Sequence, residues 1–457
     1  MLSAYQSGEE MQQMTAVSML DDHRLTPRQR YAIILAALGE FIDGYDLLVM
    51  GAALIFLRPQ FHLTPSEIGF LGAASFLGAM LGMLVFGDMS DRLGRRAIFI
   101  ANLLFFVVFS IASAFVTSVP QLFIARFLVG IGVGMDVPTS TAYIAEVSPK
   151  TQRGALAGSL VNFTWVLGAL VSTLIALPLM PLAGADTWRW MFALAAVPAA
   201  LVLIGRQALP ESPRWLAAHG RVEEAQQALA TFGITADTTA ITGLKARRGS
   251  YAELFRPPWR ARTLAVASVF FLNCISGPLS TIAAPYVLRT VGALSVRASL
   301  GFTAVIWCTS LAGVLTSTLL IDRIGRRRLF YIAAIPEGCA ALFMALAGPH
   351  SPAFLIAGFF VFSFCSWLGP AVIIWVWAGE LFPTHLRGRG QGFCNAMCRL
   401  AIAINIFAIP VGVAGIGFTA TIVVLSIPIF GMAFLVSRLG FLDSEGHSLE
   451  FLADREA

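Results

Sequence analysis

Long apolar runs alternate with short charged turns along most of the chain. Each run is long enough for a helix to cross a hydrocarbon core of about 30 Å. The twelve runs cover residues 31–57, 67–87, 97–117, 121–146, 155–179, 188–208, 262–290, 299–320, 329–347, 352–381, 391–413 and 416–438. A polar stretch, 209–260, separates the sixth run from the seventh. The pattern predicts an all-α membrane protein, with twelve transmembrane helices in two pseudo-symmetric six-helix bundles.

The basic residues in the turns predict an orientation. They concentrate after the even-numbered runs and in the polar central stretch, whereas the opposite turns carry few. By the positive-inside rule, both termini and the central stretch are expected on the cytoplasmic side of the plasma or bacterial inner membrane. The predicted parts are a cytoplasmic segment, 1–30, a bundle, 31–208, a cytoplasmic loop, 209–260, a second bundle, 262–438, and a cytoplasmic tail, 439–457.

The central loop contains a run of helix formers at residues 222–229. We expect short amphipathic helices that lie under the bundles. The alternative is a solvated linker between the two halves.

One charged turn recurs in the second half of the chain. Residues 87–96 read Gly-Asp-Met-Ser-Asp-Arg-Leu-Gly-Arg-Arg, and residues 321–328 read Ile-Asp-Arg-Ile-Gly-Arg-Arg-Arg. Each turn is followed, at a nearly equal offset, by Glu-x-x-Pro-x-x-x-Arg-Gly, which begins at Glu146 and again at Glu380. Two features that recur at one offset predict an internal duplication of a helical membrane unit.

The composition fits a membrane protein and argues against an enzyme. The chain is 57% hydrophobic and only 12% charged, about half the charged fraction of a soluble domain. The net charge is +5, but the basic residues lie mainly in the turns, so this charge does not indicate a nucleic-acid partner. The six cysteines form no Cys-x-x-Cys pair, and there is no phosphate-binding loop or nucleophile elbow. We therefore expect no metal site, no cofactor and no ATP-driven step.

Three acids lie in the first apolar run: Glu40, Asp43 and Asp46. A charge within a span costs at least about 2.5–3.5 kcal/mol on insertion scales, so it usually has a function or a partner. Asp43 and Asp46 lie near mid-membrane and, three residues apart, share one helix face. Burial and a like-charged neighbour both favour the protonated form of a carboxyl group. These acids are therefore expected to take and release protons, which is the chemistry of proton coupling.

Several motifs in order resemble those of the major facilitator superfamily, and more narrowly of the sugar porter family. The turn at 87–96 is similar to the loop signature of the superfamily. Segments that resemble the sugar porter motifs lie at 126–134, 143–149, 153–154, 210–216, 380–383, 387–388 and 444–449. The resemblance covers essentially the whole chain. It implies a monomeric secondary transporter that works by alternating access and draws its energy from the proton gradient.

The resemblance also implies a coupling pair. Proton-coupled sugar porters are similar to this chain in having an acid after Gly-Tyr in the first helix and an arginine that opens the fourth-helix motif. These positions correspond to Asp46 and Arg126. A proton on Asp46 would release Arg126, and the alternative is a static ion pair that only joins two helices. Asp43 and Asp136 are additions to the sugar porter pattern and resemble the acids of bacterial organic-acid:proton symporters.

The charged motifs at the cytoplasmic ends are expected to latch the two halves together and to open once in each cycle. The alternative is that their charges only fix the topology. The candidate residues are Gly87, Asp88, Asp91, Arg92, Arg95, Glu146, Arg153, Asp322, Arg323, Arg326, Glu380 and Arg387.

Four further residues are candidates for binding a small solute. Asn162 and Asn273 stand where sugar porters have glutamines, and Trp375 matches a tryptophan of their tenth helix. Arg399 in the eleventh run could hold a carboxylate through paired hydrogen bonds, unless it only extends to the headgroups. The sequence therefore favours symport of a carboxylate-bearing metabolite, such as a sugar acid or an aromatic acid. The alternatives are a sugar or polyol symporter, a drug or metabolite:proton antiporter, and a receptor of the same fold.

Overall fold

The computed structural model describes residues 25–149, 160–234, 250–280, 283–382 and 386–439. Within these ranges the chain is helical and has no β-strand. Helix occupies the described part of each of the twelve apolar runs. The first half contains α1 (Pro27–Phe61), α2 (Pro65–Leu93), α3 (Arg95–Phe115), α4 (Val119–Val147), α5 (Val161–Leu174), α6 (Ala176–Ala183) and α7 (Thr187–Gln207).

Three short helices lie in the predicted central loop, and eight more helices follow. The loop contains α8 (Pro213–Ala218), α9 (Val222–Thr231) and α10 (Tyr251–Leu254). The second half contains α11 (Trp259–Ser276), α12 (Ala284–Thr290), α13 (Val296–Ile324), α14 (Arg326–Ala347), α15 (Pro352–Leu368), α16 (Pro370–Glu380), α17 (Arg387–Gly415) and α18 (Phe418–Arg438).

Nine helical stretches of the described residues are long and apolar enough to cross a membrane. One of them, Val161–Gln207, contains two predicted runs, because α5, α6 and α7 follow one another almost without a break. Helix α1 is outside the nine and carries three buried acids, and α11 is interrupted after Ser276.

Local sequence signals explain where the first two helices begin. Thr26 caps α1 and Thr64 caps α2, each in a capping box completed by a side chain three residues later, Gln29 or Glu67. Proline at the first helical position follows each threonine, where its missing N–H costs nothing.

The two copies of the charged turn adopt the same backbone conformation. Gly94 separates α2 from α3 at a φ of 97°, and Gly325 separates α13 from α14 at a φ of 94°. Both values lie in the region that favours glycine because it has no Cβ. The repeat read from the sequence is therefore a repeat of structure at this turn.

Helices α1–α7 form an N-terminal bundle and helices α11–α18 a C-terminal bundle. The bundles meet where α2 packs on α17 and where α5 packs on α13. Trp165 of α5 lies in the contact between α5 and α13. Its ring centroid is 6.2 Å from that of Trp307 in α13 and 5.7 Å from that of Trp367 in α15. Small residues bring α1 close to α5, since a Cβ on Gly44 would lie 2.0 Å from the carbonyl oxygen of Trp165.

Candidate functional site

A cavity lies between the two bundles, with walls that are mostly apolar and aromatic. It brings together the four residues predicted to bind a solute. The polar and aromatic lining side chains are Glu40, Phe76, Thr141, Asn162, Trp165, Asn273, Cys274, Ser366, Trp367, Trp375, Cys398 and Arg399. Apolar walls with a few converging polar groups are typical of a small-molecule site.

Asp46 of α1 and Arg126 of α4 form a buried ion pair in the N-terminal bundle. Arg126 donates from Nη1 to Asp46 Oδ1 at 2.8 Å and from Nη2 to Asp46 Oδ2 at 2.6 Å, and both side chains are 0% exposed. Nη2 also donates to the backbone carbonyl of Asp46 at 2.6 Å, and the guanidinium lies 4.8 Å from the ring centroid of Phe192. The pair is therefore a bidentate contact that holds α1 against α4 while Asp46 is ionised.

Asp136 of α4 forms a second buried pair, with Arg206 of α7. Arg206 Nη1 donates to Asp136 Oδ1 at 2.6 Å, and Asn102 Nδ2 donates to the same oxygen at 2.5 Å. Arg206 also donates to the backbone carbonyls of Leu35 at 3.1 Å and Ala36 at 2.9 Å in α1. Asp136 is thus held by partners from α3 and α7, and Arg206 joins α7 to both α4 and α1.

Glu40 of α1 and Arg399 of α17 line the same cavity from opposite bundles, and Asp43 is buried three residues after Glu40. Glu40 accepts a hydrogen bond from Ser140 at 2.9 Å, whereas Asp43 Oδ2 is buried and has no hydrogen-bond partner among the described residues. Arg399 is 4% exposed, and its guanidinium lies 5.9 Å from the ring centroid of Phe76 in α2.

The charged turn of the first half is held by two carboxylates. Arg95 Nη2 donates to Glu146 Oε1 at 2.9 Å, which joins α3 to α4 within one bundle rather than the two halves. Glu211 accepts from the backbone N–H groups of Arg95 at 2.9 Å and Arg96 at 3.1 Å. It thereby binds the first N–H groups of α3, where the helix dipole favours an anion.

The other predicted latch residues are only partly described. Arg92 and Arg323 are exposed in the last turns of α2 and α13, Gly87 lies in α2, and Arg326 is the first residue of α14. The side chains of Asp88, Asp91, Asp322, Glu380 and Arg387, and the whole of Arg153, lie outside the described part of the structure. The predicted contact between the two halves at these residues therefore stays a prediction.

Sequence reasoning missed three buried or capping residues. Arg206 stands at the end of an apolar run, where an arginine is usually taken as a headgroup contact. Glu211 lies in the segment 210–216, which resembles a sugar porter motif. That motif indicated the family, but it did not show that Glu211 caps α3. Glu337 of α14 is 2% exposed, and its Oε2 has no hydrogen-bond partner among the described residues. Its only sequence signal was an acid within an apolar run.

Comparisons with known proteins give one consistent result. A model of the family described as sugar (and other) transporter matches residues 32–442. A putative metabolite transport protein of Escherichia coli, YaaU, is 30% identical, with 94% of this chain and 95% of the relative covered. The arabinose-proton symporter of Bacillus subtilis is 32% identical, with 79% of this chain and 80% of the relative covered.

Solved structures show the same fold. The proton:xylose symporter XylE bound to 6-bromo-6-deoxy-D-glucose matches with a TM-score of 0.76 at 24% identity, over 94% of this chain and 99% of that one. The xylose transporter XylE from E. coli, in a partially occluded inward-open conformation, matches with a TM-score of 0.77 at 23% identity, over 90% of this chain and 98% of that one. At this identity the likeness concerns the fold, and the predicted all-α arrangement of twelve helices in two bundles is confirmed.

Proposed function

The chain belongs to the family of sugar (and other) transporters, and from this premise we propose that it carries a sugar across the membrane together with a proton. The family match and the bacterial relatives make it a multi-pass membrane transporter, so the predicted resemblance is confirmed. Symport of a sugar is the alternative that the sequence left open. Relatives named for arabinose-proton symport and for D-xylose transport support it.

The observation that carries the proposal is the buried pair of Asp46 and Arg126. Both side chains of this ion pair are 0% exposed, and an unpaired charge in this interior is costly. A proton on Asp46 would leave Arg126 as a buried cation without its counter-ion, so α1 and α4 would have to repack to give the guanidinium other acceptors. Protonation would thus be linked to the packing of the bundle that forms one wall of the cavity.

The cavity supplies the contacts that a sugar needs. The amides of Asn162 and Asn273 both donate and accept, so they match hydroxyl groups, and they lie on opposite bundles. The indole rings of Trp165 and Trp375 offer flat apolar faces for the C–H side of a sugar ring. Because the polar contacts come from both bundles, a bound sugar would be held at the junction that alternating access rearranges.

The carboxylate preference drawn from the sequence gains no support from the comparisons. It depended on Arg399 being available to a substrate anion. In the structure this guanidinium lines the same cavity as the carboxyl group of Glu40. A substrate carboxylate would compete with this acid for Arg399, whereas a neutral sugar would not.

The orientation completes the proposal. By their basic residues, the α2–α3 and α13–α14 turns and the helices α8–α10 would face the cytoplasm, together with both termini. The Arg95–Glu146 pair and Glu211 would then stiffen the cytoplasmic end of the N-terminal bundle.

Purified protein in proteoliposomes tests the proposal. A pH dye in the lumen reports protons that enter with each solute of a panel of pentoses, hexoses, polyols, sugar acids and aromatic acids. We expect acidification with at least one neutral sugar and its loss in Asp46→Asn. Acidification with carboxylates alone would contradict the choice of solute, and sugar uptake without proton movement would contradict the coupling.

A further inference from the structure

Helices α2 and α17 of opposite bundles touch directly at one end of their contact. A Cβ on Gly69 of α2 would lie 2.9 Å from the backbone Cα of Phe407 in α17. Next to it, the rings of Phe70 and Phe407 have their centroids 4.8 Å apart. Small residues at a helix contact allow such a close approach of two backbones. This end of the contact, away from the charged turns at Gly94 and Gly325, is therefore closed.

At the other end, which carries these turns and is called the charged-turn end below, a tyrosine lies between the two helices. Outside its own helix, the only atom of the described residues within 4 Å of a Cβ on Gly87 of α2 would be the hydroxyl oxygen of Tyr251, at 3.7 Å. For a Cβ on Gly392 of α17, the only such atom in the described part of the chain is the same oxygen, at 3.5 Å. One phenol oxygen thus lies next to a glycine of each helix.

Tyr251 is held by the C-terminal bundle. It is the first residue of α10, and Leu254 of this short helix is 0% exposed in the apolar core formed with α11 and α17. Phe255, directly after α10, packs edge-on against Phe393 of α17 with ring centroids 5.1 Å apart. The ring of Tyr251 packs against the same core, and its hydroxyl reaches α2 of the N-terminal bundle. Tyr251 therefore bridges the two bundles.

A glycine on each helix leaves a gap between them that has to be filled. An empty gap costs free energy, because the atoms that line it lose their contacts. Two arrangements avoid this loss. Tyr251 can lie in the gap, as in the structure, or it can leave while the helices approach each other as they do at Gly69. Neither Gly87 nor Gly392 has a Cβ that would obstruct the second arrangement.

We propose that Tyr251 is a wedge between α2 and α17, which holds the bundles apart at the charged-turn end in this state and leaves the gap when that end closes. A change of rotamer is enough to remove the phenol, while Leu254 keeps α10 in place. The inference rests on the proposed function, since alternating access opens the two ends of the molecule in turn. It deepens that function by naming a residue of the central loop that controls the closure of one end.

The wedge predicts that two substitutions act in opposite directions. Tyr251→Ala removes the wedge, so the helices can approach each other at the charged-turn end. Gly392→Ala adds a Cβ at an ordinary contact distance from the phenol, so it fits the present state but obstructs closure. We expect each variant to change the ratio of the two states by at least about tenfold, because only one of the states makes the contact that is altered.

Distance measurements on the full-length protein without solute test this. Spin labels are attached through unnatural amino acids, so that the six native cysteines remain. They are placed at Leu93 of α2 and Arg328 of α14, two exposed positions at the charged-turn end. Pulsed electron resonance in lipid nanodiscs gives the populations of long and short distances. Tyr251→Ala should increase the short-distance population, and Gly392→Ala should increase the long-distance population.

Tyr331→Ala is the matched control. Tyr331 is also partly buried in the C-terminal bundle, but its hydroxyl donates to the backbone carbonyl of Ala433 at 3.2 Å within that bundle. This variant should keep the wild-type distances.

The wedge can be overturned even if one variant does not fold. If Tyr251→Ala fails to fold, Gly392→Ala carries the test, since the structure has room for its Cβ. Wild-type distances in either variant, or a shift of both variants in the same direction, would overturn the wedge. A wild type that shows only the short distance would overturn it as well.

Failure of the wedge and failure of the proposed function give different results. Sugar-driven proton entry with distances that do not respond to Tyr251 or Gly392 would reject the wedge alone. Distances that follow the wedge, without proton entry for any sugar, would reject the symport proposal alone.

Discussion

Two buried arginines of the N-terminal bundle have different surroundings, and their variants should therefore behave differently. Among the described residues, the guanidinium of Arg126 donates hydrogen bonds to Asp46 alone, at the carboxylate and the backbone carbonyl of that residue. Arg206 bonds Asp136 and two backbone carbonyls of α1, and its guanidinium lies 4.2 Å from the ring centroid of Phe99. Protonation of one carboxyl group would release most of the contacts of Arg126 but leave Arg206 held to α1.

We predict that Arg206→Gln lowers the free energy of unfolding by about 3–5 kcal/mol, because it leaves the carboxylate of Asp136 buried without its cation. Adding Asp136→Asn should restore part of the loss, since the uncompensated charge is then gone. Chemical unfolding in detergent measures both variants.

Arg221→Gln is the control for this prediction. It breaks an exposed pair with Glu224 at the start of the short helix α9, and exposed pairs contribute little to stability. If Arg206→Gln cost no more than Arg221→Gln, the buried pair would not stabilise the bundle as described.

The sequence predicted Asp46 and Arg126 as partners but missed Arg206, for a physical reason. Asp46 and Arg126 stand in two motifs that resemble those of proton-coupled sugar porters, and this resemblance implied that the acid and the arginine form a pair. Arg206 lies at the end of an apolar run, where an arginine that extends to the headgroups and one that turns inward give the same pattern. Only the position of α7 relative to α4 and α1 separates the two cases.

At the scale of elements, Gly94 lies against Glu211, one of the two carboxylates that hold the charged turn of the first half. Gly94 has a φ of 97°, and a Cβ there would lie 2.3 Å from Glu211 Oε2. The same carboxylate binds the first backbone N–H groups of α3. A side chain at position 94 would therefore strain the backbone and displace the anion that caps the helix.

We predict that Gly94→Ala destabilises the protein more than Gly184→Ala does. Gly184 also has a positive φ, 55°, but a Cβ there would meet nothing within 4 Å. Its variant should show backbone strain alone, of order 1–3 kcal/mol, and Gly94→Ala should add the loss of the cap, about 0.5–2 kcal/mol. Thermal unfolding of both variants in one detergent makes the comparison. Equal losses would show that Glu211 does not matter to the turn.

The helices themselves were predictable from the sequence, and the breaks within them were less so. Apolar runs and turn charges predicted where each helix lies. The interruption between α11 and α12 and the division of the fifth run into α5 and α6 leave little trace in hydropathy, because the residues on both sides are apolar.

At the scale of the whole molecule, the contact between the bundles brings polar groups of both halves to one cavity. The repeat in the sequence predicted two related halves, and the turns at Gly94 and Gly325 have matching conformations. The repeat did not predict that Arg399 of one bundle would line the same cavity as Glu40 of the other. That placement depends on how the halves dock, and docking is not encoded in either half alone.

One comparison tests the central claim, that a proton on the α1 acids drives sugar movement. Exchange of labelled for unlabelled sugar across proteoliposomes needs only the loaded carrier, whereas accumulation against a gradient needs coupling to protons. We predict that Asp46→Asn, which mimics the protonated acid, keeps exchange within about threefold of wild type and loses accumulation at least tenfold. Accumulation that survives in this variant, or exchange that falls together with it, would contradict the account.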